Sequence, residues 1–122
     1  MGRTNEFTLV ADADFTGKRG YAVKVKAELL VHNTPVGTIA DAGEAIDGII
    51  TDITGPAVAG SPIAVAKIGD IVFGAIGANG VTVGDELVVG EDGRLVTAGE
   101  GVAVAKALGT GAEGELVPVI IK

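Results

Sequence analysis

The chain has no cysteine and no tryptophan, and its 122 residues include one histidine, one serine, one tyrosine and three phenylalanines. Without cysteine no disulfide can staple the fold, and the redox compartment is left open. With so few aromatics, the core has to be built from Val, Ile, Leu and Ala. Nucleophilic catalysis has almost no raw material. A Ser-His pair could come only from Ser61, in a Gly-Ser-Pro turn, and His32, beside Asn33-Thr34-Pro35, and no nucleophile elbow surrounds Ser61.

Basic residues are also scarce, nine Lys and Arg against 16 Asp and Glu, for a net charge of −7. No basic stripe exists to displace counterions from phosphates, which argues against a nucleic-acid partner. The densest basic stretch is GKRGYAVKVK, with Lys18 and Arg19 in a turn and Lys24 and Lys26 alternating along a strand. No apolar run approaches the length of a membrane-spanning helix, and MGRTNEF has neither signal-peptide nor myristoylation character. A soluble protein, not exported by the classical route, is expected.

What is present is glycine, 20 residues of it, spread between short runs rich in Val and Ile. YAVKVKA alternates strictly, with Tyr21, Val23 and Val25 on one face and Ala22, Lys24 and Lys26 on the other. FTLVA, ELLVHN up to Pro35, IITDI, PIAVAKI, DIVFGAI, VAVAKAL and ELVPVIIK read as further strands of four to eight residues bounded by Gly, Pro, Asn or Asp. GTIADAGEAIDG is the one place with room for a helical turn. This spacing predicts an all-β, small single-domain β-barrel or β-sandwich of short strands. Residues 1–14 are expected to be an extended N-terminal arm or edge strand, and residues 15–122 the barrel domain. GIITDITGPAVAGSPIAVAK and GVAVAKALGTGAEGELVPVIIK share a layout, each preceded by AGE, as two β-loop-β units would.

TVGDELVVGEDGRLVTAG reads as a hairpin about Asp92-Gly93. A two-residue type I′ loop would set Glu91 across from Arg94, Val89 from Val96 and Leu87 from Ala98. A turn using all of GEDG would slide that register. Lipoyl and biotin carriers need a lysine at such a tip, and Arg94 cannot form the amide. GTGAEG matches a dinucleotide fingerprint only as a string, because a strand interrupted by Pro118 follows it where a helix is required. GAIGANG is read as a hairpin connection. Asp12 and Asp14, or Asp41, Glu44 and Asp47, are the best oxygen-ligand groups, but neither set makes a cation cage, so no metal or cofactor is expected.

The succession FTGKRGYAVKV, GTIADAGEAIDGIITD, AGSPIAVAKIGDIVFGAIGANGVTVGDELVVGEDGRLVTA and GVAVAKALGTGAEGELVPVIIK resembles the small capsid decoration, or head cement, proteins of tailed bacteriophages. The likeness runs from about Phe15 onward. It implies a non-enzymatic virion protein, made in the host cytoplasm, that binds the outer surface of the expanded capsid. There it covers junctions of the major capsid protein, often as a homotrimer, and holds the shell against the pressure of packaged DNA. No direct nucleic-acid or membrane contact is implied. Arg3, Asn5, Phe7 and Leu9 of the arm, then Lys18 and Arg19, are the expected contacts with capsid or neighbouring protomer. The other reading is a carrier-like or small β-barrel binding module of a cellular complex.

Overall fold

The computed structural model describes residues 6–31, 34–52, 58–97 and 101–122. Ten strands account for the regular structure, and no helix occurs among the described residues. The first five are β1 (Glu6–Ala11), β2 (Ala22–Val31), β3 (Thr34–Ile39), β4 (Gly48–Asp52) and β5 (Pro62–Ala66). They close into a barrel in the order β1-β3-β2-β4-β5, sealed by antiparallel pairing of β1 with β5 from Glu6↔Ala66 to Val10↔Pro62. The other five are β6 (Ile71–Ala75), β7 (Glu86–Val89), β8 (Leu95–Thr97), β9 (Ala105–Ala107) and β10 (Leu116–Ile121). They form a second sheet in the order β6-β10-β9-β7-β8. A parallel bridge from Ile76 to Leu95 draws the ends of that sheet toward each other.

Two cores result, and the barrel strands serve both. Ala22, Ile49 and Ala66 join the aliphatic core of the second sheet, while their neighbours Val23, Ile50 and Val65 fill the barrel with Leu9, Ala11, Ile63 and Phe15. Period-two alternation sends consecutive residues to opposite faces, so strands covered on both sides need consecutive apolar residues. The alternation read in YAVKVKA therefore holds for Val23 and Lys24 but not for Ala22, which is fully buried against the second sheet.

One turn design recurs along the chain. In FTGK, KRGY, KIGD, TVGD and AEGE the N–H of the fourth residue bonds the carbonyl of the first, and the third is a glycine with φ between 77° and 97°. That is the type II signature, which requires positive φ at the third position. DAGE, where a helical turn seemed possible, is another such turn, with Gly43 at φ 76°. Three of them carry an extra lock. Glu44, Asp85 and Glu115, each in fourth place, accept the backbone N–H of the first residue at 2.6, 2.9 and 2.7 Å.

Several expectations need correction. Residues 6–11, expected as an extended arm or an edge strand, are a strand, and one that closes the barrel instead of lying at an edge, with Leu9 and Ala11 in the interior. Pro35 does not interrupt the sheet; it lies inside β3 opposite Leu30, next to a register shift that relieves the ladder. GAIGANG is not a hairpin connection, since β6 and β7 are separated by β10 and β9. Of the two turns expected for the central hairpin the structure has the one over all of GEDG: the strands pair Val89↔Leu95, Val88↔Val96 and Leu87↔Thr97, one residue away from the type I′ register. Gly90 N–H bonds Arg94 O at 2.7 Å, and Gly93 sits at φ 90°, so the loop has three residues and ends in a left-handed glycine. That slip turns Leu95 into the core. The two β-loop-β units do form similar pairs, β4 with β5 in the barrel and β9 with β10 in the second sheet.

Candidate functional site

The carboxylates weighed as cation ligands are occupied by the backbone and by lysines. Glu44 takes the Lys24 ammonium at 2.7 Å on one oxygen and the Asp41 N–H on the other. Those bonds, the lysine's foremost, hold Glu44 below its ordinary range and raise Lys24 in return. Asp47 accepts the Val25 N–H at 2.8 Å, Asp14 accepts the Thr16 N–H at 2.9 Å, and Asp12 pairs with Lys26 at 3.5 Å. Among the described residues, no three His, Cys, Asp or Glu groups converge as a metal site would require. His32 lies outside the described residues.

An open, polar groove of about 670 Å³ runs between Asn79, Thr82, Asp85, Thr97, Thr110 and Glu115. Two of its acids are turn locks, Asp85 holding Thr82 and Glu115 holding Ala112, and the third, Glu113, faces the Arg94 guanidinium at 3.5 Å. The groove thus offers no convergent set of free polar groups, which a specific small-molecule site needs.

The hairpin is a clasp between the two sheets. Gly93 at its tip is buried, its carbonyl accepts the Ala22 N–H at 2.9 Å, and a Cβ there would collide with Ile39 Cγ2. Arg94 is held by Asp92 at 2.7 Å and reaches Glu113 at 3.5 Å. Burial pushes the Asp92 carboxyl up, but the Arg94 N–H and guanidinium outweigh it and leave the group below its ordinary range. A carrier hairpin has to hold its modified residue out to a distant partner, and this one is docked on its own barrel.

Of the expected contact residues, Arg3 and Asn5 lie outside the described residues. Phe7 is half-buried against the barrel core, and Leu9 is wholly buried inside it. Leu9 is therefore a core residue with no free surface. Lys18 and Arg19 do stand outward, on two consecutive type II turns. The Lys18 ammonium rides 4.9 Å over the Tyr21 ring, and Arg19 Nε donates to Thr51 O at 3.1 Å. Gly20 ties this basic turn to the second sheet, donating to Ile50 O and accepting from Ala75 N–H, both at 2.9 Å.

Beside that turn lies a surface that sequence reasoning did not single out. The outward side chains of β6 and β10 are Ile71, Phe73, Leu116, Pro118 and Ile120, with Leu108 alongside Pro118. The sequence signal was DIVFGAI, an apolar run that reads as a buried strand. Only the topology reveals that one of its faces has no layer over it.

The chain matches no known protein family and no curated protein sequence. Its fold has a counterpart among solved structures. The chain is similar to the head fiber gp8.5 N base of bacteriophage phi29. The two superpose with a TM-score of 0.74 at 17% identity, over 98% of this chain and 95% of that one. The likeness thus extends over the barrel and the second sheet together. At that identity the likeness is one of fold, and it assigns no residue a role.

Proposed function

We propose that this protein is a structural component of a bacteriophage virion, a rigid body that attaches to the outer surface of the head. The observation that carries this reading is the end-to-end likeness to the phi29 head fiber base, joined to the sequence resemblance to capsid decoration proteins. The physical character of the molecule supports it. The carboxylates described above are engaged in turns and ion pairs, and in this reading the protein works without catalysis or cofactor. Its closed barrel and twice-used cores make a stiff object whose surface is its instrument.

In this reading the protein binds the major capsid protein of the expanded shell and stabilises it against internal DNA pressure. The basic turn at Lys18 and Arg19 supplies one contact, and the protein acts as a trimer. Many modest contacts repeated around a shell gain strength through multivalency. The description of the neighbour as a fiber base favours a second version, in which the body mounts a fiber and adds nothing to shell strength. Co-sedimentation with capsids of its own phage tests the first. Binding to expanded shells and not to compact precursors is expected, with a rise in the temperature at which filled heads burst. Failure to bind overturns the attachment; binding with no change in bursting temperature selects the mount over the cement.

A further inference from the structure

β6 and β10 contain no charged residue, in a chain with 16 acidic and nine basic ones. Their inward side chains, including Val117, Val119 and Ile121, complete the core of the second sheet. Their outward ones reach no layer at all: Ile71 is 66% exposed, Phe73 54%, Leu116 42%, and the adjacent Leu108 41%. Ile71 lies opposite Ile120 and Phe73 opposite Pro118, so these groups form one continuous patch. Together they present on the order of 400 Å² of apolar surface, the size at which such a patch on a soluble protein marks a contact.

The edge beside the patch points the same way. Among the described residues, β6 from Ile71 to Phe73 is paired as a strand only with β10; on its other side the Gly20 turn reaches Phe73 and Ala75, and no second strand is bonded to it. Exposed edges are ordinarily blunted by Lys, Pro or a bulge, and Ile71–Ala75 has none of these. An unblunted apolar edge next to an apolar face is the mark of a surface that is covered in use.

We propose that this face is where copies of this chain associate with one another, with Ile71 and Phe73 of each copy gathered around a shared rotation axis. Charge selects the occupant. Two molecules of net charge −7 repel wherever their acidic turns meet, while strands free of carboxylate let them approach without that penalty. Cyclic symmetry brings the same patch of every copy to the axis, where apolar side chains meet their own equivalents, and in a ring of three each copy also offers a flanking surface to its neighbour. The patch supplies about half of the roughly 800 Å² that each partner buries in an ordinary interface. The flanking Lys67–Asp70 turn and the turn at Gly20 lie beside it to supply more. The proposal rests on the virion reading for the count of three, and not for the contact itself.

Sedimentation equilibrium of the full chain, with no shell present, is the test. The wild-type protein is expected to be an oligomer at micromolar concentration. Phe73→Lys brings one charge per copy to the axis and should weaken association roughly a hundredfold or more. Phe73 and Ile71 belong to neither core cluster, so Phe73→Lys and Ile71→Lys should both keep the wild-type circular dichroism and melting midpoint. Val83→Lys, at an equally exposed apolar position on a different turn, should leave the oligomer intact. A wild-type monomer, or an oligomer that survives both β6 substitutions, overturns the proposal. Neither result bears on shell binding, which is measured separately with capsids.

Discussion

The barrel and the second sheet have five strands each, yet they handle their edges in opposite ways. The barrel pairs its first strand with its fifth and has no edge left, and its outward lysines are matched with carboxylates, Lys24 with Glu44 and Lys26 with Asp12. The second sheet stops short of closure. One bridge at Ile76 and Leu95 narrows the gap, but β6 has a strand on one side only and an apolar outer face. Closure makes a self-sufficient wall, and incomplete closure leaves a place for another molecule. The division of labour in this protein follows from that difference: the barrel gives stiffness, and the second sheet gives contact.

The strongest way to break the comparison is to open the barrel. A chain lacking residues 1–11 loses Leu9 and Ala11 from the interior and exposes the facing edges of β3 and β5. The expected loss exceeds about 5 kcal/mol, the lower end of the whole stability margin of a domain. Such a chain should show no cooperative unfolding transition in urea. A truncated protein that still unfolds cooperatively would show that β1 is an accessory to the barrel.

Much of this architecture was legible in the sequence because short Val- and Ile-rich runs between glycines have few other solutions. The all-β class, nearly every strand and the two echoing β-loop-β pairs follow from that pattern. Pairing order does not, because it depends on which faces meet across loops. The hairpin register stayed open between two turns, because Gly93 can serve a type I′ turn or one that uses all of GEDG, and docking on Ile39 and Ala22 decides for the second. The signal x-x-Gly-[Asp/Glu] recurs in DAGE, TVGD and AEGE, where it encodes a locked type II turn; of these acids only Glu44 had been weighed as a ligand, and its role as a lock could not be read without the turn geometry. Phe73 was hidden because an apolar run does not announce which of its faces is covered.

A second, smaller effect tests the join between the regions. Gly93 and Gly84 have almost the same backbone, φ 90° and 92°, but a Cβ at Gly93 strikes Ile39 while one at Gly84 meets nothing within 4 Å. Gly84→Ala should cost about 1–2 kcal/mol, the conformational penalty alone. Gly93→Ala should cost about 2–4 kcal/mol, because the hairpin tip must also lift from the barrel. Urea midpoints at equal slope measure the difference, and equal losses would mean that the clasp contributes nothing to holding the two sheets together.

The smallest effect concerns the ion pairs that distinguish the barrel's surface. The Lys24 ammonium and the Asp41 N–H lower Glu44 from its ordinary value of 4.5 in the folded chain. A carboxylate whose folded pKa is depressed adds stability that is fully present above the unfolded value and is lost as pH falls through the folded one. Stability should therefore fall as the solution is acidified below about pH 4.5. Glu86, lowered by Lys122, adds to the same slope from the second sheet, so the two regions can be compared directly. Glu44→Gln and Glu86→Gln should each flatten the acid limb of a plot of stability against pH. Glu44→Gln should flatten it more, since Glu44 also locks the DAGE turn and Glu86 locks none. Both positions are open to solvent and their ion pairs are screened by salt, so both differences should shrink when salt is added. An acid limb that is unchanged in Glu44→Gln would mean that the lock acts through geometry and not through charge.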